Sequence, residues 1–309
     1  NGDLADRQSR FLALVLGSLA PSTKKAYAHA WKEFLDSGAV RRGVEEGCWR
    51  RAEDVIQFIL HLIEKGQSRV TIAGKLAGIA FVGKLVWGYV PTAGEMGRRM
   101  LEGWAREAGK GGRKRRPLHW SLLKRVLSIL PQVCRDETET VLFTTLMLWM
   151  FFGAFRVSEL LGAIRGEGLS WGEVVFDGLG VELFIRKTKT DQRALGRKVR
   201  LESYVVEQFC PVKWGRRLWR QQEGREGTVF QHQDRNRVTA FQLLSVLRKA
   251  LGELGMEAGS FGTHSFRIGA ASEANARGWK PEAIKEMGGW ASDCFKTYVR
   301  EVSEGRDSS

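Results

Sequence analysis

The chain has 309 residues, of which 43% are apolar, and it carries a formal net charge of +14. This length suits two globular domains, and the apolar content excludes a chain that is disordered throughout. The excess of positive charge points first to a polyanion such as nucleic acid. Four cysteines without paired spacing indicate reduced thiols in an intracellular protein and argue against a zinc site.

Before residue 109, helical periodicity dominates. It predicts helices at 4–19, 22–37, 52–65, 69–87 and 95–107, which form a small all-helical domain over 1–108. Basic residues stand near helix starts, where lysines and backbone N–H groups can hold phosphate. For each of them a solvated helix face is the simpler alternative. These residues are Lys24, Lys25, Arg69 and Lys75.

Positive charge is concentrated in one short stretch. Residues 1–108 hold 16 basic and 12 acidic side chains, and residues 118–309 hold 28 and 23, whereas the nine residues 109–117 (GKGGRKRRP) hold five basic and no acidic ones. A glycine-rich cationic stretch between nearly balanced segments indicates an interdomain linker that contacts phosphate. A nuclear-import signal or a solvated loop explains the same composition. The cations concerned are Arg113, Lys114, Arg115 and Arg116.

After the linker, residues 118–309 are predicted to be mostly helical with one small antiparallel sheet. Helices are expected at 118–130, 136–154, 202–210 and 237–254, and strands at 173–176, 181–186 and 197–201. The turn 177–180 joins the first two strands, and the polar loop 187–196 joins the last two. The apolar run 141–155 is too short to span a bilayer and is expected to be a buried core helix, so no membrane partner is predicted.

The stretch 263–298 contains histidine, arginine, tryptophan and tyrosine, which are residue types that can take part in catalysis. His264 and Arg267 stand three residues apart, so one helical turn puts both on the same face. Thr263 is expected to cap this helix, and Gly278 is expected to end it.

A second short helix is expected to begin at Pro281 and to end at the pair Gly288 and Gly289, with Trp290 immediately after it. Tyr298 is expected on a third helix whose apolar face includes residues 295, 299 and 302. Taken alone, this histidine, arginine and two aromatic residues fit a capped core edge as well as an active site.

Two upstream cations extend the set. Arg156 follows the apolar run directly and precedes Glu159 by three residues, and a charge beside a buried core is costly unless it is paired or used. Lys189 lies in the loop after the second strand, at the tip of a hairpin that can reach a ligand.

Together these motifs resemble the tyrosine recombinase (phage integrase) superfamily. FRVSELL is similar to that family's first arginine motif, TKT to its hairpin lysine, THSFR to its His-x-x-Arg motif, and GGW followed by Tyr298 to its closing motif. Tryptophan stands where many members carry a second histidine. HSFRIGA with a tryptophan after the glycine pair is most similar to recombinases of eukaryotic mobile elements of the DIRS, Ngaro and Crypton kinds.

The resemblance implies a helical core-binding domain that clamps DNA (1–108), the basic linker (109–117) and a catalytic domain (118–309). It also implies a nuclear enzyme that acts on double-stranded DNA as a homo-oligomer, with a tetramer on two sites. No metal, ATP or other cofactor is implied. DNA would be cleaved and rejoined through a 3′-phosphotyrosyl intermediate.

Each residue type suits a step of that chemistry. Tyrosine is the nucleophile, and two arginines bind the non-bridging phosphate oxygens with bidentate N–H donors. Lysine protonates the leaving oxygen, histidine relays the tyrosine proton, tryptophan hydrogen-bonds or supports the pocket, and glutamate supports an arginine. The nucleophile is Tyr298, and the two arginines are Arg156 and Arg267. The lysine, histidine, tryptophan and glutamate are Lys189, His264, Trp290 and Glu159. A domesticated non-catalytic DNA-binding protein and a type IB topoisomerase-like nicking-closing enzyme are the alternatives.

Overall fold

The computed structural model describes residues 10, 13–38, 48–90, 94–107, 115–162, 168–186, 196–222 and 227–300. The chain forms two compact units, 1–113 and 114–309. Their boundary falls inside the stretch predicted to be a linker. The fold is mostly helical with one three-stranded antiparallel sheet, which confirms the predicted fold class.

The first unit is helical. Its helices are α1 (Pro21–Asp36), α2 (Cys48–Glu64), α3 (Arg69–Trp87) and α4 (Gly94–Glu107), which confirms the four predictions after residue 20. Residues 10 and 13–17 of the predicted helix 4–19 are described as helical, and most of its other residues lie outside the described part. The core of the unit is built from aromatic and branched aliphatic side chains, including Phe34, Phe58, Ile59, Leu62 and Ile72.

Among the described helices, α3 is long and apolar enough to cross a membrane by length and composition alone. Core helices of globular proteins meet the same criterion. Two of its side chains, Ile72 and Ile79, are fully buried in the core of the unit, and Lys75 forms an ion pair with Glu33 of α1. These contacts hold one face of α3 against the core of the unit.

The second unit is built around a central helix. Its helices are α5 (Trp120–Val133), α6 (Glu137–Phe152), α7 (Val157–Leu160), α8 (Pro211–Gln221), α9 (Ala240–Glu253), α10 (Thr263–Ala276) and α11 (Pro281–Gly288). Every residue of α6 from 140 to 151 is buried, which confirms the predicted core helix. The Asp136 carboxylate caps α6 by accepting a hydrogen bond from the backbone N–H of Glu139.

The sheet consists of β1 (Val174–Phe176), β2 (Gly180–Ile185) and β3 (Arg197–Glu202), in the order β1-β2-β3. Alternate residues of β2 are buried, as a strand with one face on the core requires. Asp177 closes the first turn because its carboxylate accepts hydrogen bonds from the backbone N–H groups of Leu179 and Gly180. The three predicted strands are therefore confirmed to within one residue.

Three local predictions are wrong. Residues 202–210 are not an α-helix, because Glu202 still pairs with Gly180 in the sheet and the helix begins only at Pro211, a residue suited to a first helical position. Thr263 is the first residue of α10 rather than its cap, since the N-cap position is Gly262. Tyr298 does not lie on an α-helix: a short 3₁₀ helix, Asp293–Thr297, ends directly before it.

Candidate active site

A tight turn after α6 brings two functional groups into one region. Gly153 must lack a side chain, since a Cβ there would lie 2.2 Å from the Phe155 ring. Ala154 takes a positive φ of 43°, which is strained for a residue with a side chain. This turn directs the Ala154 carbonyl toward α10 and places Arg156 at the N-cap of α7.

Arg156 is held by Glu159. The backbone N–H of Arg156 donates to one carboxylate oxygen at 3.0 Å, and Nη1 donates to the other at 2.9 Å. The Glu159 side chain is 1% exposed, whereas that of Arg156 is 16% exposed. The carboxylate is therefore enclosed while the guanidinium of Arg156 keeps some access to solvent.

Arg267 is fully buried on α10. The helix packs so closely on the chain before α5 that a Cβ at Gly269 would lie 1.9 Å from the carbonyl oxygen of Leu118. Nη1 of Arg267 donates to the Ala154 carbonyl, while Nε and Nη2 have no hydrogen-bond acceptor among the described residues. His264 lies one turn earlier on α10 and is exposed.

Electrostatics at Arg267 reflect this burial. Burial lowers the pKa of its guanidinium to about 10, and the positive charge of Arg156 acts in the same direction. The group stays protonated at neutral pH. A positive charge is thus held in the interior close to a second positive charge.

Trp290 packs on Arg267 because of the two glycines before it. A Cβ at Gly288 would lie 2.0 Å from the Trp290 ring, and Gly289 takes a left-handed φ of 60° that ends α11. The central guanidinium carbon of Arg267 stands 3.8 Å from the centre of the Trp290 ring, within the range of a cation–π contact. The Trp290 indole N–H is buried and has no acceptor among the described residues.

Tyr298 completes the group from the same chain. Its ring centre lies 5.5 Å from the central guanidinium carbon of Arg267 and 5.4 Å from the centre of the Trp290 ring. Ser272 of α10 holds this segment in place: its hydroxyl accepts from the Arg300 backbone N–H at 2.9 Å and lies 3.4 Å from the Tyr298 carbonyl oxygen. The eight-residue interval after Trp290 therefore brings Tyr298 to Arg267.

The structure adds Arg197 to the residues found from sequence. Its Nη2 lies 3.6 Å from the second oxygen of Glu159, so one carboxylate stands between two guanidinium groups. Burial lowers the pKa of Arg197. In the sequence this arginine resembles an ordinary polar residue at a strand start, and no spacing distinguishes it from Lys198 or Arg200. Ser272 was missed for the same reason.

Other predicted residues lie elsewhere or outside the described part. Lys189, Arg113 and Lys114 are outside the described residues. Nη1 of Arg115 donates to the carbonyls of Gly259 and Phe261, at 2.9 and 3.2 Å, so this guanidinium is partly engaged by the protein itself.

The remaining predicted DNA contacts differ in their availability. The Arg116 guanidinium lies 5.5 Å from the centre of the Phe261 ring. In the first unit Lys75 is occupied by its ion pair with Glu33. Lys24, Lys25 and Arg69 are exposed.

The assembled site has an excess of hydrogen-bond donors and positive charge. Three guanidinium groups face a single carboxylate, that of Glu159. Buried N–H donors without an acceptor among the described residues occur on Arg267 and Trp290, and also on Arg197, whose Nε and Nη2 face Gly289 and Glu159. Buried donors are normally paired, so a cluster of unpaired ones beside surplus positive charge suits an anionic group. No group of three or more His, Cys, Asp or Glu side chains that could hold a metal ion occurs in the described part of the chain.

Comparisons with known proteins identify a family and a fold. The profile of the phage integrase family matches residues 121–301. No curated protein matches the sequence.

Among solved structures the chain is similar to a Tn1549 transposon integrase in complex with transposon right end DNA, at 14% identity and a TM-score of 0.66, over 96% of this chain and 95% of that one. It is similar to a lambda integrase dimer bound to a core site, at 13% identity and a TM-score of 0.64, over 99% and 79%. A XerH site-specific recombinase bound to a palindromic difH substrate matches at 13% identity and a TM-score of 0.58, over 91% and 76%. These likenesses show a shared fold.

Proposed function

Because the chain belongs to the phage integrase family, we propose that it is a tyrosine recombinase that breaks and rejoins DNA strands through Tyr298. The observation that carries the proposal is the contact of Tyr298 and Trp290 with a fully buried arginine whose Nε and Nη2 have no acceptor among the described residues. A phosphodiester supplies the oxygen atoms that such donors lack. The two arginines of the motifs, Arg156 and Arg267, are the proposed phosphate-binding pair.

The first step is attack by the tyrosine oxygen on phosphorus. A phenol has a pKa of about 10 and is a weak nucleophile at neutral pH, so nearby positive charge and a proton acceptor are needed. His264 takes the proton of Tyr298 as the oxygen–phosphorus bond forms. Arg156 and Arg267 stabilise the negative charge of the five-coordinate transition state, and loss of one such donor typically costs about 3–4 kcal/mol.

The bond from phosphorus to the 5′ oxygen then breaks. Lys189 gives that oxygen its proton, and the DNA is left joined to Tyr298 by a 3′-phosphotyrosyl bond. In the second step the 5′-hydroxyl of another strand attacks this bond and releases the tyrosine. Since one ester replaces another at each step, the exchange needs neither ATP nor a metal ion.

The proposed partner is double-stranded DNA, bound by both units of the chain. The Tn1549 and lambda integrase structures are DNA complexes, and the lambda integrase is a dimer on its site. Strand exchange joins two duplexes, which favours a tetramer. The exposed cations Lys24, Lys25 and Arg69, together with the basic stretch 109–117, are the proposed contacts to the phosphate backbone.

The biological setting is part of the proposal. The motif HSFRIGA and the tryptophan after the glycine pair support a recombinase of a eukaryotic mobile element of the DIRS, Ngaro or Crypton kind. Such an enzyme works in the nucleus, and the basic linker suits a nuclear-import signal.

A pool of nicked duplexes with randomised sequence around the nick tests the proposal. Loss of the short fragment beyond the nick prevents rejoining, so a covalent complex accumulates and survives denaturing gel electrophoresis. We expect a complex joined to the 3′ end of the retained strand, and a released short fragment whose 5′-hydroxyl a kinase can label. A protein that binds DNA without any covalent complex would favour the domesticated, non-catalytic alternative. Relaxation of supercoiled plasmid by the monomer without sequence preference would favour the topoisomerase alternative.

A further inference from the structure

Arg197 connects three segments of the site, although no motif includes it. It is the first residue of β3, and its side chain is 19% exposed. Nη1 lies 3.4 and 3.3 Å from the carbonyl oxygens of Glu286 and Met287, at the C-terminal end of α11. Its central guanidinium carbon lies 5.5 Å from the centre of the Phe155 ring. The arginine is thus fixed by the two segments that carry Arg156 and Trp290.

The anchoring of Arg197 has a clear physical basis. The last carbonyls of a helix carry partial negative charge and favour a cation. Gly289 makes the approach possible, since a Cβ at that position would lie 2.9 Å from Nε of Arg197. Nε therefore faces protein backbone, which favours a structural role for Arg197 over contact with a phosphate.

The remaining contact of Arg197 is with Glu159, and this contact has a consequence for Arg156. The Glu159 carboxylate accepts from Arg156 at 2.9 Å through one oxygen and faces Arg197 Nη2 at 3.6 Å through the other. Without Arg197, Arg156 would be the only cation within ion-pair distance of the enclosed carboxylate among the described residues. A stronger pair between Glu159 and Arg156 would compete with any phosphate for the Arg156 guanidinium.

We propose that Arg197 is a positioning residue that shares the charge of Glu159 and so keeps Arg156 available to the scissile phosphate. This inference rests on the proposed function. Arg197 is anchored by α11 and Gly289 and acts through Glu159, and it makes no contact with DNA.

A double-mutant cycle on the rate of covalent complex formation tests the inference, with the nicked duplex that the wild-type protein attacks. In the wild-type background, Arg197→Met should lower the rate by about 100-fold, the scale of a misplaced catalytic group. In the Glu159→Gln background the same change should lower the rate by less than about threefold, because the carboxylate that captures Arg156 is gone. Lys198→Met, at the next position of β3, removes an exposed lysine paired with Glu182 and should leave the rate unchanged.

A second substrate separates positioning from general damage. A methylphosphonate at the scissile position lacks one negative oxygen and depends less on Arg156. The Arg197→Met defect should therefore shrink to about threefold on it, whereas a misfolded protein would lose the same factor on both substrates. Arg197→Lys keeps a positive charge and should retain at least about a tenth of the wild-type rate. If Arg197→Met does not fold, the cycle is measured with the lysine variant.

Equal losses from Arg197→Met in both backgrounds would overturn the inference, since a direct phosphate contact or a purely structural role is independent of Glu159. An unchanged rate in the wild-type background would overturn it as well. These results presuppose a reactive wild-type protein. A wild-type protein that forms no covalent complex contradicts the proposed function itself and this inference with it.

Discussion

Replacement of Arg267 by methionine distinguishes an anion-binding role of this side chain from a structural role at the edge of the core. Arg267 is among the largest fully buried side chains of the chain, so a structural role predicts a large loss of stability on substitution. A role in anion binding predicts a different result. In that case the ligand-free protein is destabilised by a buried charge whose N–H donors have no acceptor, and removal of the charge removes this destabilisation.

The magnitude follows from the contacts of Arg267. Two buried N–H donors without acceptors cost about 1–3 kcal/mol each, and methionine removes both while filling much of the same volume. Against this, the variant loses the hydrogen bond to the Ala154 carbonyl, about 1.5–3 kcal/mol, and the cation–π contact with Trp290, about 0.5–2 kcal/mol. The terms offset, so we expect the free energy of unfolding to change by no more than about 1 kcal/mol.

Thermal unfolding followed by circular dichroism measures this difference. For a unit of this size the expected change in Tm is within about 4 °C in either direction. Leu247→Ala, at a fully buried position of α9, is the sensitivity control and should cost about 2–5 kcal/mol. In the same preparation Arg267→Met should form no covalent complex with DNA. A loss of stability as large as that of Leu247→Ala would show that Arg267 stabilises the free protein and would favour the core-edge interpretation.

Three further predictions concern the segments that position Tyr298 and Trp290. Ser272→Ala leaves the Arg300 N–H without its acceptor and should lower Tm modestly and the rate of covalent complex formation about tenfold; an unchanged rate would show that Ser272 does not position Tyr298. Gly288→Ala should displace the Trp290 ring, lower the free energy of unfolding in urea by about 1–3 kcal/mol and reduce complex formation. Gly252→Ala, where a Cβ meets open space, should change neither stability nor complex formation, and equal effects of the two substitutions would contradict the packing of Trp290 on Gly288. Hydrogen bonds from Lys285 and Lys296 lower the pKa of Asp293 to about 2. The stabilisation that they provide is therefore complete above about pH 4 and is lost as pH falls through 2. The Tm of Asp293→Asn should therefore lie below that of wild type at about pH 6, and the difference should shrink as pH falls from about 4 to about 2. A constant difference would show that these hydrogen bonds do not stabilise the segment.

Periodicity and turn residues predicted most of the fold. The helices of the first unit, the buried helix α6 and all three strands follow from patterns of apolar residues and from the turn at Asp177. The failures occur where tertiary contacts decide. Residues 202–210 are predicted to be helical, but Glu202 pairs with the neighbouring strand of the sheet. The segment before Tyr298 forms a 3₁₀ helix that begins at Asp293 and is capped by Ser292.

The site was predictable only in part, for a related reason. Arg156, His264, Arg267, Trp290 and Tyr298 stand in short motifs with distinctive spacing. The structure brings together Arg267, Trp290 and Tyr298, with Arg156 close enough to depress the Arg267 pKa.

Arg197 and Ser272 carry no local signal in the sequence. Arg197 contacts residues 89 and 90 positions away in the chain, and Ser272 contacts residues 26 and 28 positions away. Side chains that position the site through such distant contacts become visible only once the chain is folded.

In the proposed reaction Tyr298 becomes covalently joined to DNA. Its most direct test is mass spectrometry of the denatured covalent complex after nuclease and protease digestion, in parallel with the Tyr298→Phe variant. We expect one peptide that contains Tyr298 and carries a nucleotide through a 3′-phosphate, with no such adduct in the phenylalanine variant although DNA binding is retained. An adduct on another residue, or one that persists in Tyr298→Phe, would show that Tyr298 is not the nucleophile.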